Sequence, residues 1–176
     1  MGWFSPERPI SVIICESAAA GGQLETLKWA RAVGCKWDSY TCANAAKSGN
    51  IEVLKWLREN GCTWDIKTCT WAAEEGHLEL LKWARLNGCN WDNDTCAAAA
   101  SNGHLEVLQW ARANGCDWNM RTCERAVLGG HVNVLDWAIN NGCIGYGLAE
   151  FCKKMKRFNV TEEVLEWLNE MIRTNK

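Results

Sequence analysis

No apolar run in this 176-residue chain approaches the roughly 20 residues that cross a bilayer, so no membrane span is expected. No sign of charge dominates either. Nineteen basic and 21 acidic side chains leave a formal net charge of −2, which gives no general attraction to nucleic acid or to an anionic membrane surface. The first residues, Met1 to Pro9, lack a basic flank ahead of an apolar stretch and do not read as a secretory signal. A reducing cytosol or nucleus is the expected compartment. Proline is scarce, at two residues, and no C-x-x-C occurs. Without such close cysteine pairs, the four converging ligands of a structural zinc site are not expected.

Against these shortages stand 12 tryptophans and 11 cysteines, a bias that points to one short unit copied several times. Trp29, Trp56, Trp83, Trp110 and Trp137 recur every 27 residues, as do Trp37, Trp64, Trp91 and Trp118. Gly-Cys keeps the same step at Gly34-Cys35, Gly61-Cys62, Gly88-Cys89, Gly115-Cys116 and Gly142-Cys143. So does Thr-Cys, at Thr41-Cys42, Thr68-Cys69, Thr95-Cys96 and Thr122-Cys123, with Cys15 one period ahead. Trp167 follows Trp137 by 30, so the last copy holds an insertion of three. Six copies result, over about 11–37, 38–64, 65–91, 92–118, 119–145 and 146–176, after an N-terminal arm of residues 1–10.

The unit's chemistry predicts a pair of helices. Asp38, Asp65, Asp92 and Asn119 are favoured N-cap residues ahead of good helix formers, and Ser11 holds the same place in the first copy. Alanine pairs such as Ala45-Ala46 and Ala99-Ala100 permit close helix approach. Gly49, Gly76, Gly103 and Gly130 then end the first helix in the left-handed conformation a C-cap needs. A second helix follows, with Leu78, Leu80, Leu81 and Ala84 as one apolar stripe and Trp83 beside them, closed by Gly88. One such pair cannot bury its apolar face alone, so the pairs are expected to stack, with the tryptophans and cysteines in the core.

Gly103-His104-Leu105-Glu106-Val107-Leu108 followed by Gly115, with Thr ahead of the first helix and Ala-Ala ahead of the glycine, resembles the ankyrin repeat over nearly the whole chain. The resemblance implies an all-α, ankyrin-like helical repeat solenoid. The period departs from the family's 33 residues. The shortfall lies between Gly-Cys and Thr-Cys, where ankyrin repeats carry a hairpin finger, so the fingers are expected to be shortened or absent. A short Trp/Cys-rich unit is similar to arrays found in giant DNA viruses and in some algae and oomycetes; for a viral chain the compartment would be the host cytoplasm. The resemblance also implies a non-catalytic module that holds a partner protein, needs no cofactor and works as a monomer. In that family the residue after the helix-ending glycine is a small buried alanine, the role expected here of cysteine. A metal- or redox-responsive cysteine protein is the alternative.

His77, His104 and His131 occupy one repeat position, beside a helix start. Catalytic sites are unique rather than laddered, so these histidines are expected to steady the turn between helices. More telling are positions that the repeat does not dictate. Tyr40, Asn44, Lys47, Lys67, Trp71, Glu74, Asp94, Arg121 and Arg125 all fall on first helices, which line the concave face of the resembled arrays. Trp71 belongs to neither tryptophan ladder; its equivalents are Ser17, Asn44, Ala98 and Arg125. An unforced tryptophan near Tyr40, Arg121 and Arg125 has the composition of an interaction hot spot, and an unidentified protein or peptide is the expected partner.

The last copy reads as a cap. Val164, Leu165, Leu168, Met171 and Ile172 share one face of a helix opened by Thr161, with acids in its first turn and on the other face. Lys153, Lys154, Lys156 and Arg157 before it are expected to be a solvated helix end. At the other terminus, Val12, Ile13 and Ile14 are more apolar than an outer face should be. Trp3 and Phe4 could fold over them, a longer array could continue there, or the edge could itself be a docking surface.

Overall fold

A computed structural model describes residues 9–143 and 147–174; Trp3 and Phe4 lie outside the described residues. Among the described residues there are twelve helices and no strand. They run α1 (Ile10–Ala20), α2 (Leu24–Ala32), α3 (Ser39–Lys47), α4 (Ile51–Glu59), α5 (Ile66–Glu74), α6 (Leu78–Leu86), α7 (Asn93–Ser101), α8 (Leu105–Ala113), α9 (Met120–Gly129), α10 (Val132–Asn140), α11 (Leu148–Met155) and α12 (Glu162–Thr174). None is long and apolar enough to cross a membrane. The helices gather into two compact units. The first holds the chain up to Ala72 together with Glu79–Asn90; the second holds Ala73–Leu78 and the chain from Trp91 onward. In the first unit α1 packs on α2 and α3, and α3 on α4. In the second, α7 packs on α8 and α9, α9 on α10, and α12 on both α10 and α11.

Each unit is assembled from the same local signals. The side chains of Asp38, Asp65, Asp92 and Asn119 accept hydrogen bonds of 2.9–3.0 Å from the backbone N–H of Tyr40, Lys67, Asp94 and Arg121, capping α3, α5, α7 and α9. The first copy differs from expectation. Its helix begins at Ile10, one residue before Ser11, after Pro9, whose fixed φ suits a helix entry, and no side chain caps it.

Both helices of a pair end by one device. Gly49 (φ +73°) is followed by Asn50, whose N–H reaches back to the Ala45 carbonyl at 2.9 Å. Gly61 (φ +80°) is followed by Cys62, whose N–H reaches the Leu57 carbonyl at 2.9 Å. This is the Schellman termination, in which only glycine takes the left-handed position cheaply. The Gly-His and Gly-Cys dipeptides of the sequence are thus the same stop signal, written twice per repeat.

The core differs from the sequence expectation in one respect. Leu27, Leu54, Leu81, Leu108 and Leu135 are fully buried, with the alanine pairs, ten of the eleven cysteines, and Thr41, Thr68, Thr95 and Thr122. The tryptophans are not part of it. Trp29 is 59% exposed and the ladder tryptophans from Trp37 to Trp137 are half-buried. The reason is angular. On α4, Trp56 lies about 200° round the helix from Leu54 and about 100° from Leu57, which sets its ring on the flank of the apolar stripe. There the indoles pair edge to face at 5.6–5.9 Å: Trp37 with Trp56, Trp64 with Trp83, Trp91 with Trp110, Trp118 with Trp137. The residue that would pair with Trp29 at the same spacing is Ile10, itself 76% exposed.

At the C-terminal end α12 buries Val164 and Leu168 and exposes Glu162, Glu163, Glu166 and Glu170. At the other end Val12 is buried while Ile13 is 46% exposed.

Candidate partner-binding surface

In the first unit the unconstrained residues of α3 and α5 meet. The rings of Tyr40 and Trp71 lie 5.9 Å apart at a tilt of 56°. Lys67 sets its ammonium 3.8 Å from the centre of the Tyr40 ring and donates a hydrogen bond to the Tyr40 hydroxyl. Lys47 stands 5.7 Å from the centre of the Trp71 ring. Each cation is drawn to the negative face of an aromatic ring, which holds both partners in place without burying them. Tyr40, Lys67 and Trp71 are half-buried and Lys47 is exposed. Rigid aromatic area, partly open and flanked by charge, is the composition of a contact patch. Asn44 does not join it: its side-chain N–H donates to the Tyr40 carbonyl at 2.9 Å.

In the second unit Arg121 and Asp94 pair with each other at 2.6 Å, with side chains 51% and 45% exposed. Arg125, one turn beyond Arg121, is exposed, and Glu74 accepts a hydrogen bond from Asn102 at its backbone carbonyl. Lys154 of the basic run at the end of α11 is paired with Glu124. The sequence-selected residues therefore resolve into a cluster of Tyr40, Lys47, Lys67 and Trp71, an Asp94/Arg121 ion pair, and single residues.

The tryptophan pairs form a second surface feature that the sequence did not reveal. Arg31, Arg58 and Arg112 lie 3.9–4.3 Å over Trp37, Trp64 and Trp118. Each donates as well to the carbonyl four residues on, at Cys35, Cys62 and Cys116. Beside one pair is a cleft of about 360 Å³ lined by Lys55, Arg58, Trp64 and Trp83. The recurrent W-A-R and N-G-C of the unit are the signal, since an arginine four residues before a helix-ending cysteine can reach both groups.

Thiols of the first helices reach the backbone of the cysteine twenty residues on. The thiol of Cys42 donates to the carbonyl of Cys62 at 4.0 Å, and that of Cys69 to the carbonyl of Cys89 at 3.9 Å. The second cysteines donate in turn: Cys62, Cys89, Cys116 and Cys143 donate to the carbonyls of Asp38, Asp65, Asp92 and Asn119 at 3.2–3.4 Å. Interaction with the cysteine twenty residues on, with burial second, pushes the thiols of Cys42, Cys96 and Cys123 up, and the same interaction pulls Cys89, Cys116 and Cys143 down. Burial first, with Cys35 next, raises Cys15, and burial raises Cys152. Among the described residues no group of three or more His, Cys, Asp or Glu is placed to hold a metal ion.

His104 and His131 sit on the turn of the preceding pair. A Cβ built on Gly76 would come 2.7 Å from the His104 ring, and one on Gly103 would come 2.6 Å from Nδ1 of His131. Asn50 stands over Gly22, and Thr161 over Gly130, in the same way. The glycine is thus needed twice, for its φ and for the neighbour that covers it.

Residues 95–139, the stretch that carries α7 to α10, match the family model described as ankyrin repeats in many copies. The human ASB11 ankyrin repeat domain is similar over 89% of this chain and 82% of its own, at a TM-score of 0.65 and 17% identity. The fold is the ankyrin-repeat fold. No curated protein matches this chain in sequence. Ankyrin repeats generally mediate protein–protein interaction. The departure lies in the links. Between α4 and α5 only residues 60–65 intervene, enough for a Schellman turn and the Asp65 cap and too few for a hairpin finger.

Proposed function

We propose that this chain is a non-catalytic interaction module, a scaffold that holds a protein or peptide partner against its first helices, the concave side of comparable arrays. The Tyr40/Trp71 pair with Lys47 and Lys67 over its rings is the observation that carries this reading. Nothing in the repeat calls for these residues, since the equivalents of Trp71 include Ser17, Ala98 and Arg125. Asp94, Arg121, Arg125, Glu74 and Asn44 are secondary contact positions in this reading. Truncating a central aromatic anchor of an interface costs about 2 kcal/mol or more, roughly thirtyfold in affinity.

The 27-residue Trp/Cys-rich unit is read as a shortened ankyrin variant, similar to the arrays of giant DNA viruses. Action as a monomer in cytoplasm or nucleus belongs to the same proposal. An affinity pull-down with wild type and with Trp71→Ala and Arg125→Ala, each checked by thermal melting, tests it. Loss of the captured partner by Trp71→Ala at an unchanged melting midpoint is the expected result. A large fall in the midpoint with the partner retained would make Trp71 a structural residue instead.

A further inference from the structure

We infer that the arginine-capped tryptophan cleft beside α4 and α6 is a second docking site, and that it takes an acidic peptide segment in which a carboxylate neighbours an apolar side chain. It is separate from the Tyr40/Trp71 patch, which lies on first helices. All of its residues belong to the first unit. Its volume, about 360 Å³, is at the small end of the roughly 300–1,000 Å³ usual for ligand sites, which suits one or two side chains.

The charge of the cleft fits a carboxylate. The guanidinium of Arg58 lies 4.2 Å over the Trp64 ring and donates to the Cys62 carbonyl, so it is fixed before any partner arrives. Those contacts use one face and one nitrogen, and the rest of its donor fork is left over. Among the described residues no carboxylate pairs with Arg58. A fork held in this way loses little side-chain freedom on binding, and it matches a carboxylate with a bidentate set of hydrogen bonds. Lys55, also on the wall, is tied to Glu52 only by an exposed pair three residues apart, which a partner's carboxylate can replace at small cost. Against these two cations the described wall carries one acid, Glu59.

Leu86 supplies the apolar half. It is 87% exposed, and its repeat equivalents are Ala32, Glu59, Ala113 and Asn140, so nothing in the fold calls for leucine there. It follows Trp83 by three residues on α6 and so shares its side of the helix. With Trp64 and Trp83 edge to face at 5.9 Å, it makes an apolar seat next to the anion seat. Single-stranded nucleic acid fits less well. A base stacks on an open ring face, whereas Arg58 covers Trp64 and the Trp83 ring stands across it at 70°.

The test uses the isotope-labelled full chain and three probes: an acetylated, amidated octapeptide of alternating glutamate and leucine, its glutamine counterpart, and a thymidine octanucleotide. Indole N–H signals are assigned in NMR spectra with Trp64→Phe, Trp83→Phe and Trp71→Phe. The expected result is a saturable shift of the Trp64 and Trp83 signals with the glutamate peptide, at a Kd of about 1 mM or tighter. Added salt should weaken it about threefold or more. Arg58→Gln and Leu86→Glu should each weaken binding about tenfold, with circular dichroism confirming the fold. Leu86→Glu changes an exposed side chain, so it decides the matter if Arg58→Gln does not fold. Trp71→Ala should bind the peptide as the wild type does, which separates this site from the surface proposed above. A shift centred on Trp71, equal binding of the glutamine peptide, tighter binding of the oligonucleotide, or no saturable shift would each overturn the inference.

Discussion

The imidazole of His131 lies on the turn glycine of the preceding helix pair, with Nδ1 only 2.6 Å from where a Cβ of Gly103 would stand. The pair of residues locks two successive repeats at their turns. Gly115, at nearly the same φ (+81° against +78°), faces nothing within 4 Å. Alanine at Gly115 should therefore cost only the left-handed backbone, about 1–2 kcal/mol. Alanine at Gly103 should cost more, and Gly103→Ala combined with His131→Ala should show a coupling of about 1 kcal/mol. Chemical denaturation of the wild type, the two glycine variants, His131→Ala and the double variant reads the difference; equal losses at the two glycines would remove the histidine's role.

The half-exposed state of the tryptophans has a direct consequence. Trp29→Ala should destabilise by less than about 1 kcal/mol, since its ring is 59% exposed. Leu108→Ala, which empties a fully buried site, should cost about 2–5 kcal/mol. A reversed order in urea unfolding would return the tryptophans to the core.

Arg112 bridges the Trp118 ring and the Cys116 carbonyl, two contacts that depend on a planar guanidinium. Arg112→Ala should lower stability by about 1–2 kcal/mol, and Arg112→Lys should restore less than half of it, because an ammonium cannot stack on the indole and span to the carbonyl together. Melting of the three proteins checks this.

Alkaline pH should weaken the fold. Cys15 and Cys152 have folded-state pKa values raised above the ordinary 9.0, chiefly by burial. Above pH 9 the unfolded chain sheds these protons while the folded chain keeps them, so the unfolded state binds fewer protons and stability falls as pH rises. Each thiol held neutral contributes a slope of up to about 1.4 kcal/mol per pH unit, present in full below pH 9 as stability and lost above it. Denaturation under reducing conditions at pH 7, 9 and 10 should show a steepening loss; a flat profile would mean that the sulfurs ionise freely when folded.

That Tyr40, Lys67 and Trp71 depart from the repeat pattern was legible in the sequence, because the repeat itself supplies a control. That Asn44 spends its amide on its own helix, and that Asp94 and Arg121 neutralise one another across adjacent first helices, was not legible. Partnership between surface side chains depends on rotamer and on the residue 27 positions away, and composition carries neither.

The amino-acid order alone fixed the period, the paired helices, their aspartate caps and their glycine stops, since each of these is decided by hydrogen bonds spanning two to five residues. Packing decided the rest. Whether Trp56 faces the core or its flank, which carbonyl each thiol meets, and what covers Gly103 depend on angles about a helix axis and on neighbours 19 to 28 residues distant. Leucine and alanine fill the narrow space between the helices of a pair, and the indoles, too large for it, are left to stack along its rim under arginine.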